Sequence, residues 1–161
     1  MKYERFEELP VWKSAIEMAA NVYGLTEKPA FRRRYSLRDQ IERAAVSVSN
    51  NIAEGFERGT TEELLSFLYI ARGSAGEVRS MLCLLGKIPA FDAVETDILE
   101  LKPGLESISK QLGGWIRTLR DSGLKGERYV NAKTRRAEQT ARERQKFLDE
   151  LERIRRGEPA K

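Results

Sequence analysis

The segment IERAAVSVSNNIAEGFERG, Ile41 to Gly59, decides the fold. Ile41, Ala45, Val48 and Ile52 recur at steps of four, three and four, which places them on one side of an α-helix. Arg43, Ser47, Asn50 and Glu54 fall on a second face, with Asn51 on the border between the two. Serine and asparagine are poor choices for a helix interior, because their side chains compete for backbone hydrogen bonds. Two readings are open for this polar stripe. It is a solvated face, or it is a contact with another subunit in which each buried amide must find a partner.

Reading outward, the same helix takes in Leu37, Ala44 and Phe56, starts near Ser36 and ends by Gly59. Before it, Pro10 suits a first helical turn, and Leu9, Trp12, Ile16, Ala19 and Tyr23 predict a first helix that stops near Lys28-Pro29. After it, Thr60 and Glu63 have the spacing of a capping box. They open a third helix whose core face is Leu64, Phe67, Leu68, Ala71, Ala75, Val78, Leu82 and Leu85. The small residues Gly73, Ser74, Ala75 and Gly76 within it suggest close approach of another helix.

Asp92 and Glu95 repeat the capping spacing and predict the start of a fourth helix carrying Val94, Ile98, Leu101, Leu105, Ile108, Leu112, Trp115 and Leu119. These steps of four and three are the seam of coiled-coil-like packing. Pro103-Gly104 interrupts them and predicts a kink, or a break. With short connections and no strand alternation, the expectation is an all-α, up-down-up-down antiparallel four-helix bundle over residues 1–121. Residues 122–161 form a basic C-terminal extension, helical or partly disordered, whose apolar stripe is thin: Val130, Ala137, Ala141, Leu148, Leu151 and Ile154.

Composition narrows the function. The chain has 161 residues, 34% of them charged, one cysteine and no histidine. It lacks the run of about 20 apolar residues that spans a bilayer and an N-terminal signal pattern, so a cytoplasmic protein without membrane contact is expected. The commonest general base and metal ligand is missing. Cys83 lies in MLCLL and reads as a small core residue, and Glu54 with Glu77 is a weak candidate for a carboxylate pair. No enzymatic activity, metal or cofactor is expected.

The charge is uneven. Residues 1–119 hold 16 Lys+Arg against 17 Asp+Glu, whereas residues 120–161 hold 13 against 8. Arg32, Arg33 and Arg34, together with Arg117, Arg120, Lys125, Arg128, Lys133, Arg135, Arg136, Arg142 and Arg144, are candidates to neutralise phosphates without reading sequence. The bland alternative is a solvated charged face helped by pairs such as Glu138 with Arg142. An oligomer would display several copies of a weak patch and raise its avidity for a polyanion.

The segments FEELPVWKSAIEMAANVYGLTE and LRDQIERAAVSVSNNIAEGFERGTTEELLSFLYIARGSAGEVRSML resemble a bacterial four-helix-bundle family associated with intervening sequences in 23S ribosomal RNA genes. The likeness covers about residues 5–120. It rests on the aromatic-Leu-Trp-Lys opening, the AAVS and NIAEG segments and IARGS, in that order. Where the family commonly has Ser-Ile-Pro-Ser-Asn before Ile-Ala-Glu-Gly, this chain has Ser47-Val48-Ser49-Asn50-Asn51, so a proline kink is lost.

The resemblance implies a homopentamer. It extends to the accessory variability determinant of diversity-generating retroelements, which partners a reverse transcriptase and binds nucleic acid; LGGWIRTLR, Leu112 to Arg120, is similar to the end of that protein's last helix. It also implies that Arg43, Ser47, Asn50, Asn51 and Glu54 serve polar packing or subunit assembly. The expected function is therefore a non-enzymatic, homo-oligomeric bundle that binds RNA or DNA. The alternative is a protein-protein scaffold with no nucleic-acid role.

Overall fold

A computed structural model describes residues 3–122 and, beyond them, Thr140, Arg144, Gln145 and Leu148, which are helical and exposed. The chain forms two units, Met1–Gly126 and Glu127–Lys161. The first holds four helices, α1 (Pro10–Thr26), α2 (Tyr35–Glu57), α3 (Thr61–Leu85) and α4 (Glu95–Asp121), with short 3-10 turns at Phe6–Glu8, Pro29–Phe31 and Pro89–Val94. No strand occurs among the described residues. Each helix packs on two others, α1 on α2 and α4, and α3 on α2 and α4. Among the described residues none of these helices is long and apolar enough to cross a membrane.

The predicted stripe of α2 is the buried one: Ile41, Ala44, Ala45, Val48, Ile52 and Phe56 are all inside. That of α3 is inside too, except for a half-buried Phe67. Each fully buried Leu or Ile contributes about 1.5–3 kcal/mol by leaving water. The capping box forms in a variant way: the Glu63 amide donates to Thr60 Oγ1 at 3.2 Å, and that hydroxyl donates to Glu63 Oε2 at 2.9 Å.

The face of α1 differs from the one predicted. Leu9 and Ala19 are buried, but Ile16 and Tyr23 are 42% and 41% exposed. The core instead takes Val11, Ala15, Met18, Val22 and Leu25, whose steps of four, three, four and three define a second apolar stripe on the same helix. Periodicity alone does not choose between two such stripes.

The fourth helix starts at Glu95 rather than Asp92, and no side chain caps it. The residues before it are drawn into a 3-10 turn because Phe91 is buried edge-on against Phe31, with ring centroids 4.9 Å apart. Pro103 lies inside an unbroken α4. Its missing donor would have served the carbonyl of Leu99, and both residues are on the exposed side of the helix, away from the core. Likewise α2 runs unbroken through Ser47-Val48-Ser49.

Close helix approach occurs elsewhere than at Gly73 and Gly76, which have open space where a Cβ would stand. It occurs at Gly55, where a Cβ would lie 2.7 Å from that of Phe67, and at Gly104, where it would meet Met18 Cε at 2.5 Å. Cys83 also departs from expectation. It is exposed, because the core turn of α3 uses Met81, Leu82 and Leu85 and rotates the residue between them outward.

Candidate nucleic-acid interface

Two seams flank α3, and their chemistry differs. On the α2 side, a chain of hydrogen bonds joins the helices. Ser74 Oγ donates to its own helix at Ile70 O, 3.1 Å, and lies 2.9 Å from Ser47 Oγ. With its single proton committed, Ser74 must accept from Ser47. Asn51 Nδ2 then donates to Ser47 Oγ at 2.9 Å and to Ser47 O at 2.7 Å. The direction runs from Asn51 to Ser47 to Ser74 to Ile70, and no proton in it is left over.

Of the other residues in the α2 stripe, Arg43 and Glu54 take partners four residues away in sequence. Arg43 pairs with Asp39 at 3.4 Å. Glu54 accepts from Arg58, whose guanidinium is held above its ordinary pKa chiefly by that hydrogen bond and lies over the Phe67 ring. Glu77 accepts from Gln40 at 3.2 Å, so the two carboxylates considered as a pair hold different partners. Asn50 is exposed and borders, with Tyr23, Arg43, Val46, Ser47 and Asn51, an open groove of about 340 Å³.

The arginine run before α2 splits by residue. Arg34 turns inward: Nη1 donates to Ala30 O at 3.0 Å and the guanidinium lies 5.1 Å from the centroid of Phe91. Arg32 and Arg33 stay exposed, with Arg33 in the left-handed region at φ 62°. They edge a cleft of about 350 Å³ shared with Lys28, Tyr35 and Arg38. Two of these cations are already engaged, Lys28 by both oxygens of Asp97 at 2.6 and 2.7 Å and Arg38 by Glu42 at 2.7 Å.

On the other side of α3 the cations converge. Arg72 and Arg79 of α3 and Lys110 and Arg117 of α4 line one groove of about 380 Å³, together with Ser109, Glu106 and Gly113. Arg79 lies 3.6 Å from Glu106. Arg72, Lys110 and Arg117 have no ion pair among the described residues. The Arg72 guanidinium lies over Gly113, 3.6 Å from where a Cβ would stand, an ordinary contact distance that ties the two helices together at this point.

Of these four cations, Arg117 alone belongs to the basic set that the sequence singles out. Arg72, Arg79 and Lys110 escape such a reading because each is isolated in sequence. A signal was nevertheless there. Arg72 and Arg79 are seven residues apart, as are Lys110 and Arg117, which sets each pair on one helix face about 10 Å apart.

Arg120 sits exposed in the last turn of α4, and Arg144 is exposed in the second unit. Lys125, Arg128, Lys133, Arg135, Arg136 and Arg142 lie outside the described residues. Among the described residues no three His, Cys, Asp or Glu side chains come together as metal ligands would.

Residues 7–114 match the family described as 23S rRNA-intervening sequence protein. Comparison with curated proteins finds no match.

Proposed function

The chain belongs to the 23S rRNA-intervening sequence protein family, and from that premise we propose that it is a non-enzymatic homo-oligomer, a pentamer, that binds RNA or DNA through phosphate contacts. The observation that carries the reading is the groove between α3 and α4, where three cations without ion pairs face one another. Phosphates attract such a site without regard to sequence, and Ser109 adds a neutral donor. The five-fold assembly and a role as accessory to a reverse transcriptase of a diversity-generating retroelement, or to an RNA element, come from the resemblance alone.

The proposed topology is up-down-up-down. Along α2 and α3, Gln40 meets Glu77, Ser47 meets Ser74 and Gly55 meets Leu64. Along α3 and α4, Arg72 meets Gly113 and Arg79 meets Glu106. One number rises as the other falls, which supports antiparallel neighbours. Self-association is supported by Ile16 and Tyr23, large apolar side chains left exposed on α1, since such surface marks an interaction site when it gathers on one face. The same two residues favour the second reading, a protein-protein scaffold.

Binding of a structured RNA should weaken steeply between low and moderate salt, because released counterions drive it. Affinity that does not change with salt would rule out the phosphate mechanism. The absorbance ratio at 260 and 280 nm of protein purified without a high-salt wash separates the scaffold reading, which expects no copurifying nucleic acid.

A further inference from the structure

The outer surface of α3 next to the basic groove is unlike that of the other helices. Its exposed positions Ser66, Tyr69, Ile70, Gly73, Gly76, Ser80, Cys83 and Leu84 carry no charge over five turns, and only Arg72, at the groove edge, and Glu77 interrupt them. Within that surface Tyr69 is 48% exposed and stands three residues before Arg72, one helical turn along and outside the residues that line the groove. Its ring makes no hydrogen bond or ring contact among the described residues. Four residues on, Gly73 has no side chain and nothing within 4 Å of where a Cβ would be. An aromatic ring beside a flat, open step of backbone is room for a planar group.

We infer that the α3–α4 groove takes a single-stranded nucleic acid, with its phosphates on Arg72, Lys110 and Arg117 and a base stacked on Tyr69. The inference rests on the nucleic-acid reading above and narrows its ligand. A cationic groove alone serves any polyanion. An adjacent exposed aromatic discriminates, because only an unpaired strand can turn a base out to stack, and every base has a π-face to offer. In a duplex the bases are paired and stacked inside, so Tyr69 adds nothing to its binding. An acidic peptide would satisfy the cations but has no planar base for the ring.

The test uses the full chain, a 16-nucleotide single-stranded RNA, the same RNA as a duplex, and an abasic strand with the same phosphate backbone, titrated by fluorescence anisotropy at one salt concentration. The single strand is expected to bind tighter than the duplex. Tyr69→Ala is expected to weaken the base-containing strand about tenfold and leave the abasic strand unchanged, with Tyr69→Phe close to the parent because the π-face survives. A duplex bound as tightly as the single strand, or a Tyr69→Ala protein that is unaffected or loses the abasic strand equally, overturns this inference and leaves the nucleic-acid reading standing. Failure of all three probes to bind overturns both. Tyr69 is half exposed, so an unchanged circular dichroism spectrum and melting point confirm that Tyr69→Ala reports on binding.

Discussion

The two seams of α3 use their polar side chains in opposite ways. Toward α2, Asn51, Ser47 and Ser74 consume each other's hydrogen-bonding capacity, and Arg43 and Glu54 pair with Asp39 and Arg58, each four residues away. Toward α4, Arg72, Lys110 and Arg117 face one groove with a single acid, Glu106, which is taken up by Arg79. A satisfied network fixes how two helices meet and offers little to a ligand, whereas like charges held together without partners are a cost to the folded chain that a polyanion relieves. Asn51, Ser47 and Ser74 thus join two helices of the bundle, and the less conspicuous cations of the other seam are where we place binding.

This contrast can be broken by mutation, and the largest effect is expected at the α2 seam. Gly55→Val should destabilise the bundle by about 2–3 kcal/mol, since the added side chain meets Phe67 where the backbones cannot part. A shifted urea midpoint checks it, and an unchanged one would mean that the helices do not meet as described. Next in size, Arg72→Gln with Arg117→Gln should weaken RNA binding at least tenfold, because a charge-assisted contact contributes about 1.5–3 kcal/mol. The same pair should move stability by no more than about 0.5 kcal/mol. A large loss of stability would place the two arginines in the architecture and dissolve the contrast.

The converse experiment has a smaller effect. Ser47→Ala or Asn51→Ala should cost about 1 kcal/mol in unfolding free energy with RNA affinity unchanged. Oligomeric mass sharpens the result: a change in mass would assign these residues to assembly as well as to packing within the bundle. Smallest of all, Lys28→Met should cost less than about 1 kcal/mol, because its bidentate pair with Asp97 is partly exposed and screened by solvent. A larger loss would show that the ends of the bundle, not the seams, set its stability.

How much of this was legible in the sequence follows from where competing patterns existed. In α2 and α3 the most regular apolar run is the buried one, so Ile41, Ala45, Val48 and Ile52 and, on α3, Leu64, Leu68, Ala71, Ala75, Val78, Leu82 and Leu85 point inward as their spacing requires. In α1 there are two stripes, and the choice of Val11, Ala15, Met18, Val22 and Leu25 over Ile16 and Tyr23 is made by the surfaces of α2 and α4, which a local reading does not contain. The Asp92 capping pattern loses for the same kind of reason: burying Phe91 against Phe31 outweighs a cap worth about 1 kcal/mol.

The candidate site was legible only in part. Runs of arginine draw attention because they are contiguous, yet Arg34 is folded back on Ala30 and Phe91. The groove cations are distributed as two pairs on two helices, and only the register between α3 and α4 brings them together. Ser47 and Asn51 stood out in the sequence as part of a polar stripe, but Ser74, which joins them to α3, lies 27 residues from Ser47 and stood out only as one small residue among several.

The most direct test is the salt dependence of single-stranded RNA binding for the parent protein and for Arg72→Gln/Lys110→Gln/Arg117→Gln. If the α3–α4 groove holds the phosphates, the slope of log affinity against log salt should become shallower by about 2, roughly 0.7 for each phosphate that is no longer neutralised. An identical slope in the two proteins would contradict the account and move the binding surface away from this groove.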